Sequence, residues 1–310
     1  MDARAKDWFA AATSSADDWP LDRVLAAKAR TGTTVSVVIP ARNEEATITD
    51  VVTSIRRDLV ERASLVDELI VLDSLSSDAT AKRALEAGAD VHSVADVLPQ
   101  LGIRAGKGEA LWKSLFVATS DVIVFIDADL TEWGTHFVTA LVGPLLEDER
   151  VQLVKGFYDR PLEMDDGPTT QGGRVTELVA RPVLALHWPQ LSTVVQPLAG
   201  EWAARRAHMA SLPVPVGYGV ELATLIDTAE RHGLSALAQV DLGRRAHKHQ
   251  SVHDLGVMAT EILAVVARRR ARVAALEDGS VELMQYLREG GWTARDVPLG
   301  ERPPAETIVV

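Results

Sequence analysis

Between Val35 and Leu130 the chain alternates short apolar runs with segments of helical periodicity, and no other feature narrows the possible folds as much. VSVVIP (35–40), DELIVLD (67–73), ADVHSV (89–94) and VIVFIDADL (122–130) are the apolar runs. NEEATITDVVTSIRRDL, SLSSDATAKRALEAG and GKGEALWKSLFVATS separate them, with apolar residues near helical spacing. A strand wetted on one face carries polar residues at alternate positions. These runs are apolar almost throughout, so both faces must be covered, which predicts a parallel sheet with helices on either side. In such an α/β, Rossmann-like domain, ligands gather at the carboxyl ends of the strands.

The strand ends carry the chemistry. VIVFIDADL closes an apolar run with two carboxylates one residue apart, Asp127 and Asp129. Alternate residues on an extended backbone share a side, so both can face one hard divalent cation, Mg²⁺ or Mn²⁺, and the diphosphate it carries. Read alone, the pair serves equally as a solvated strand end or a helix N-cap. Its place after the fourth strand of a nucleotide-type sheet, behind a lysine loop, selects the metal reading.

That loop is RAGKGEALW (104–112), where flanking glycines leave the backbone free to approach an anion beside Lys107, just ahead of a helix N-terminus. A surface lysine is the competing reading. PARNEE (40–45) ends the first strand: Pro40 fixes the turn and Glu44 can accept from a base or ribose, while Asn43 with Glu44 and Glu45 also suits a helix start. GGRVTE (172–177) offers backbone N–H groups, a guanidinium and a hydroxyl for a phosphate or carboxylate, or is simply a helix start. His247 follows a strand, DLGRRAH, among Arg245, Lys248 and His249, as a metal or anion ligand or as a basic surface turn.

Around this core we expect a helical lead-in at 1–33 with Trp8 and Trp19 docked on the body, a nucleotide-binding half at 34–146, a mixed second half at 147–250, and helices with a Pro-rich tail at 251–310. RVTELVARPVLALHW reads as a helix containing a proline, and a helix over 252–275 as followed by a second helical stretch. The formal charge of -12, from 32 Lys+Arg against 44 Asp+Glu, repels nucleic acid and anionic lipid, so an anionic substrate must meet a local cationic cluster. There is no cysteine, hence no disulfide or thiolate site. No window of about 18 uncharged apolar residues predicts a spanning helix. The expectation is a cytoplasmic protein without nucleic-acid or membrane partners.

DELIVLDS, RAGKGEALWKSL, VIVFIDADL, GPLL with VQLVKGFYDRPL, GGRVTELVARP, QPLAGEWAA, LPVPVGYGVELATLIDT and VDLGRRAHKH occur in the order and spacing of one family. From about residue 18 to 265 the chain resembles the retaining glucosyl-3-phosphoglycerate synthases of actinobacteria, close relatives of the bacterial mannosyl-3-phosphoglycerate synthases. The resemblance implies a GT-A glycosyltransferase fold, a Rossmann-like nucleotide-binding half with a mixed α/β acceptor half. It implies an NDP-hexose donor, UDP- or GDP-linked, with 3-phosphoglycerate as acceptor, and a homodimer. Glucose is the expected sugar and GDP-mannose the alternative. By matching position, Pro40, Ala41, Glu44 and Ser74 would line the nucleotide, Lys107 the diphosphate, and Asp127 with Ala128 the ribose. Asp129 and His247 would hold the metal, and Leu198, Gly200, Glu201 and Glu221 the sugar. Asp129, Glu221 and Lys107 would be the catalytic set, with Glu221 orienting the sugar and not attacking it. Gly173, Arg174 and Thr176 would bind the acceptor together with His249, which stands where relatives carry Asn. DADL stands where mycobacterial members carry DSDL, with both carboxylates kept.

Three other readings compete. A nucleotide-sugar-binding protein without turnover would have no use for metal and acceptor groups together. A nucleotidyltransferase would carry a Gly-rich turn in place of PARNEE, and a processive polysaccharide synthase would need membrane helices.

Overall fold

The computed structural model describes residues 3–159, 162–164, 167–169, 173–245, 252–271, 280–286 and 292–309. Every apolar run named above contains a strand, although in VIVFIDADL it ends at Phe125, so Asp127 and Asp129 lie just beyond the strand, with Asp129 in a turn and not on extended backbone. β1 (Thr13–Ser15), β2 (Val35–Ala41), β3 (Glu68–Asp73), β4 (Asp90–Ser93), β5 (Val122–Phe125) and β6 (Leu153–Asp159) precede a small hairpin, β7 (Leu162–Met164) with β8 (Gly167–Thr169). β9 (Trp202–Arg205), β10 (Val214–Pro215) and β11 (Leu237–Arg244) follow. The helices are α1 (Ala3–Ala12), α2 (Leu21–Thr31), α3 (Ile48–Ile55), α4 (Thr80–Glu86), α5 (Lys107–Ser114), α6 (His136–Glu147), α7 (Arg181–His187), α8 (Arg206–Ala210), α9 (Val220–His232) and α10 (Val252–Ala271).

The main sheet has the order β1-β11-β6-β9-β5-β2-β3-β4. β2 to β5 pair in parallel, as the apolar runs predicted. The sheet as a whole is mixed, because β9 inserts antiparallel between β5 and β6. Burial on both faces accounts for the missing polar alternation. Val35, Val37 and Ile39 enter a core with α2, α3 and α6. Val38, Ile70 and Leu72 point the other way, into a core with α5, α7, α9 and α10. Each such wholly buried side chain contributes roughly 1.5–3 kcal/mol.

The lead-in docks as expected but is not wholly helical, since β1 within it joins the edge of the main sheet beside β11. Trp8 and Trp19 are buried, and Trp8 Nε1 donates to the Leu237 carbonyl at 2.9 Å. The proline in the 174–187 helical segment is accommodated by a π-helical turn, Thr176–Ala180, ahead of α7. Pro182 has no N–H to give, and the wider turn redistributes the carbonyls it would orphan.

Two expectations fail. Asn43 does not start a helix: it adopts a left-handed conformation (φ 57) and its side-chain oxygen accepts from the Ser77 N–H at 2.8 Å, while α3 begins only at Ile48. The second C-terminal helical stretch is instead an antiparallel pair, β12 (Ser280–Tyr286) with β13 (Trp292–Pro298). Gly290-Gly291 between them was the hairpin signal. A two-residue strand, β14 (Glu301–Arg302), then pairs with β10. The basic run closing α10 also folds inward, since Arg269 grips Asp227 at 2.6 Å and Glu301 at 2.7 Å.

Glu68 bolts the start of β3 to the turn before β5. Its carboxylate accepts from the Ser36 hydroxyl, from Thr119 Oγ1 and N–H, and from Ser120. Burial alone would raise its carboxyl, but the hydrogen bonds led by Ser36 outweigh it and hold the group down to about 2. A carboxyl depressed on folding contributes stability that is fully present above about pH 5 and is lost as the pH falls toward the folded value. Glu68→Gln should therefore cost roughly 1–2 kcal/mol at neutral pH, allowing for solvent screening, and progressively less in acid. Urea melts of both proteins at pH 7 and pH 3 check this. A gap that does not shrink in acid counts against it.

Candidate active site

The mouths of β2, β3 and β5 lie side by side because these strands are parallel neighbours. What each chain does on leaving its strand lines one cavity of about 320 Å³, formed by Pro40, Ala41, Arg42, Glu44, Ser74, Gly106, Lys107, Asp127, Ala128, Asp129 and Tyr218. Eight of these eleven were expected from the sequence. A larger hollow of about 850 Å³ beside α1 and α6 lacks the strand-end carboxylates and lysine. The smaller cavity carries the chemistry.

Backbone contacts fix the lining. The Ser74 N–H donates to the Ala41 carbonyl at 2.8 Å, and the Glu44 N–H to Thr80 Oγ1 at 2.8 Å. Lys107 is the first residue of α5. The glycines beside it serve the fold in a way the sequence did not indicate. A Cβ on Gly106, whose φ is +136, would sit 2.3 Å from the Val216 carbonyl oxygen, and one on Gly108 1.8 Å from that of Pro215. They let α5 press against the 215–217 turn, and Lys107 is left facing the cavity.

Lys107 Nζ lies 2.6 Å from Asp127 Oδ1 and 3.0 Å from Glu221 Oε1. Arg245 NH2 reaches Asp127 Oδ2 at 2.8 Å, Asp129 Oδ1 at 3.1 Å and Glu201 Oε1 at 3.2 Å, and NH1 donates to the Tyr158 hydroxyl at 2.7 Å. Four carboxyl groups thus face two cations, an excess of acid over base. Burial works against the Lys107 ammonium, yet Asp127 and Glu221 outweigh it and raise its pKa above the ordinary value. Burial likewise disfavours the Asp127 carboxylate, but Lys107 and Arg245 hold it well below the usual range. For wholly buried Glu201 burial wins over Arg245, and its carboxyl is pushed up. Gly200 packs so closely that a Cβ there would lie 2.2 Å from Asp127 Oδ2. The turn of Leu198, Gly200 and Glu201 therefore meets the D-x-D pair directly.

The sequence reading singled out Arg245 only as a neighbour of His247. Two arginines at a strand mouth, in a chain whose acids outnumber its bases, were the available signal. Tyr218 and Arg42 were missed as lining residues, although both lie inside strings quoted above, VGYGVE and PARNEE. Arg174, exposed, and Thr176, buried, share the first turns of the 174–187 helical segment, outside the residues lining the cavity. The Glu177 N–H donates to the Gly173 carbonyl at 3.0 Å, closing that turn. His247 and His249 lie outside the described residues.

The fit to a divalent cation rests on the donor set. Asp129 is a carboxylate at 26 % side-chain exposure on the edge of the cavity, within a cluster where acids outnumber cations, which suits a hard ion such as Mg²⁺ or Mn²⁺. Among the described residues no three His, Cys, Asp or Glu side chains gather as a ready-made cage. Mg²⁺-type sites are commonly of that kind, with one or two carboxylates joined by substrate phosphates and water.

Residues 36–184 match the model of the family Glycosyl transferase family 2. A glucosyl-3-phosphoglycerate synthase of Mycobacterium tuberculosis (strain CDC 1551 / Oshkosh) is 49% identical over 301 residues, spanning 94% of this chain and 90% of the relative. One from Petrotoga mobilis is 43% identical over 281 residues, spanning 88% and 86%. The crystal structure of the M. tuberculosis enzyme with Mn²⁺, UDP-glucose and phosphoglyceric acid superposes with a TM-score of 0.82 at 48% identity, covering 93% of this chain and 95% of that one. The likeness runs well past the 18–265 stretch in which the motifs lie. With the cavity at the strand mouths and the mixed sheet behind it, these similarities establish that the chain belongs to the glucosyl-3-phosphoglycerate synthase family, glycosyltransferases of the GT-A fold.

Proposed function

We propose that this chain transfers glucose from UDP-glucose to the 2-hydroxyl of 3-phosphoglycerate with retention at the anomeric carbon. The observation that carries the reading is the Asp127–Asp129 pair set between Lys107 and Arg245 at the mouth of β5. The M. tuberculosis relative binds Mn²⁺, UDP-glucose and phosphoglyceric acid together. Glucose and uridine are accordingly favoured over mannose and guanosine.

Each group then has a task. Pro40, Ala41, Glu44 and Ser74 cradle the nucleoside, and Asp127 with Ala128 meets its ribose. Asp129 and His247 would hold Mg²⁺ or Mn²⁺, which when bound neutralises charge on the departing diphosphate. Lys107 adds a fixed cation on the same side, in a partly buried setting where its charge is weakly screened. Glu221, 5% exposed and tied to Lys107, orients the sugar together with Leu198, Gly200 and Glu201. The bond from the anomeric carbon to the diphosphate breaks, and the acceptor oxygen bonds from the face so vacated. Its proton passes to the departing phosphate, so no protein nucleophile is needed. A donor panel with 3-phosphoglycerate and product identification tests the whole reading. Donor hydrolysis that 3-phosphoglycerate does not redirect would favour a sugar-nucleotide binder that does not transfer.

The acceptor is assigned to Gly173, Arg174, Thr176 and His249, in a second half (147–250) distinct in role from the nucleotide half (34–146). A guanidinium grips two phosphate oxygens where an ammonium offers a point charge. Arg174→Lys should raise the KM for 3-phosphoglycerate by an amount equivalent to roughly 2 kcal/mol, the low end for truncating a hydrogen-bonded charge pair, and leave the KM for UDP-glucose nearly constant. Equal losses for donor and acceptor would mark GGRVTE as a helix start alone. No helix among the described residues is long and apolar enough to cross a membrane. A cytoplasmic homodimer is part of the same proposal, and light scattering of dilute protein tests its assembly.

A further inference from the structure

Lys155 lies near the middle of β6, in register with Trp202 of β9 on one side and Gln239 of β11 on the other. Its side chain is wholly buried. Nζ donates to the Ala199 carbonyl at 2.7 Å and sits 5.6 Å from the centre of the Trp202 ring. The acids nearby, Glu221 and Glu201, are engaged by Lys107 and Arg245 instead. Burial lowers the ammonium pKa to about 7, with Glu221 pulling upward and Lys107 pushing the same way as burial.

Stability does not call for a lysine here. An apolar side chain of similar length would fill the space without desolvating an amine, and such exchanges are often neutral or stabilising. What the amine does is hold a carbonyl. The next residue along β6, Gly156, donates its N–H to the Glu201 carbonyl at 3.0 Å. Consecutive residues of one strand thus grip the carbonyls of Ala199 and Glu201, on either side of Gly200. Gly200 is in turn pressed against Asp127. The backbone N–H of Gly156 would keep its hold whatever the side chain at 155, whereas the Ala199 carbonyl depends on the lysine.

We propose that Lys155 is a positioning residue for the donor hexose: from the middle of β6 it fixes the depth of the Leu198–Gly200 turn on which the sugar rests. The inference builds on the assignment of that turn to the sugar. It separates binding of the nucleotide from binding of the sugar, because the Lys155 ammonium donates to the Ala199 carbonyl of the sugar turn.

Lys155→Met keeps length and removes the donor. The variant is expected to fold, with a modest drop in melting temperature from the unpaired Ala199 carbonyl, and to bind UDP, in the presence of Mn²⁺, with unchanged affinity by calorimetry. Its kcat/KM for UDP-glucose at saturating 3-phosphoglycerate should fall on the order of 10²-fold, the scale for a small misplacement of a reacting group. Parental kcat/KM in the variant overturns the inference. So does an equal loss of affinity for UDP and UDP-glucose, which would make Lys155 a general support. Should the methionine variant not fold, Lys155→Gln is read by the same split. Failure of the parent itself to transfer glucose to 3-phosphoglycerate would defeat the functional assignment and not the role of Lys155.

Discussion

Asp129→Asn should lower kcat/KM by roughly 10² to 10³-fold, the scale for removing one preorganised charge-stabilising group, with little change in melting temperature. Asp129 is a quarter exposed and shares Arg245 with two other acids, so the guanidinium keeps Asp127 and Glu201 when Asp129 is neutralised. The cluster loses one negative charge, and attraction for a divalent ion weakens with it. Rates measured across a Mn²⁺ titration should show the loss as both a higher half-saturating Mn²⁺ concentration and a lower plateau. Asp127→Asn is the contrasting variant. That carboxylate bonds Lys107 at 2.6 Å and Arg245 at 2.8 Å, so its neutralisation should cost stability as well as rate. An Asp129 variant with the parental rate and Mn²⁺ dependence would remove the D-x-D pair from the chemistry.

The nucleotide half was readable because its signals are local. Apolar runs of strand length separated by helical segments specify parallel pairing, and a carboxylate ending such a run can only sit at the strand mouth. β9 was not readable in the same way. Trp202-Ala203-Ala204 is apolar whichever way it runs, and its insertion between β5 and β6 depends on partners distant in sequence. Lys107 and the D-x-D pair were found by residue type and spacing. The pairing of Arg245 with three acids was hidden, since those acids lie on two other segments. Gly106 and Gly108 serve a packing role that their sequence context does not show, while Gly106 also lines the cavity. A glycine beside a lysine suggests an anion, and here it is the 215–217 backbone that occupies the space a Cβ would need.

Arg245 carries the largest expected effect on stability. Its side chain is 3% exposed and its NH2 group is the cation shared by Asp127, Asp129 and Glu201. Those acids hold its pKa well above the ordinary arginine value despite burial. Arg245→Met leaves Glu201 wholly buried beside two ionised carboxylates with Lys107 as the remaining paired cation, and breaking a buried pair from one side costs about 3–5 kcal/mol. The cluster loses one of its two cations, and its acids outnumber the remaining cation further. A divalent ion that binds the folded form alone stabilises it by mass action, and the variant has the stronger need for one. Thermal unfolding should therefore show a large drop in melting temperature without metal, and a larger rise on adding Mn²⁺ than the parent shows. Combining Arg245→Met with Glu201→Gln should recover part of the loss, since the most deeply buried of the three charges is then gone. An Arg245→Met protein as stable as the parent in metal-free buffer would mean that the three acids are not held together by this guanidinium. An Mn²⁺ response equal to the parent's would mean that ion and arginine do not answer to the same carboxylates.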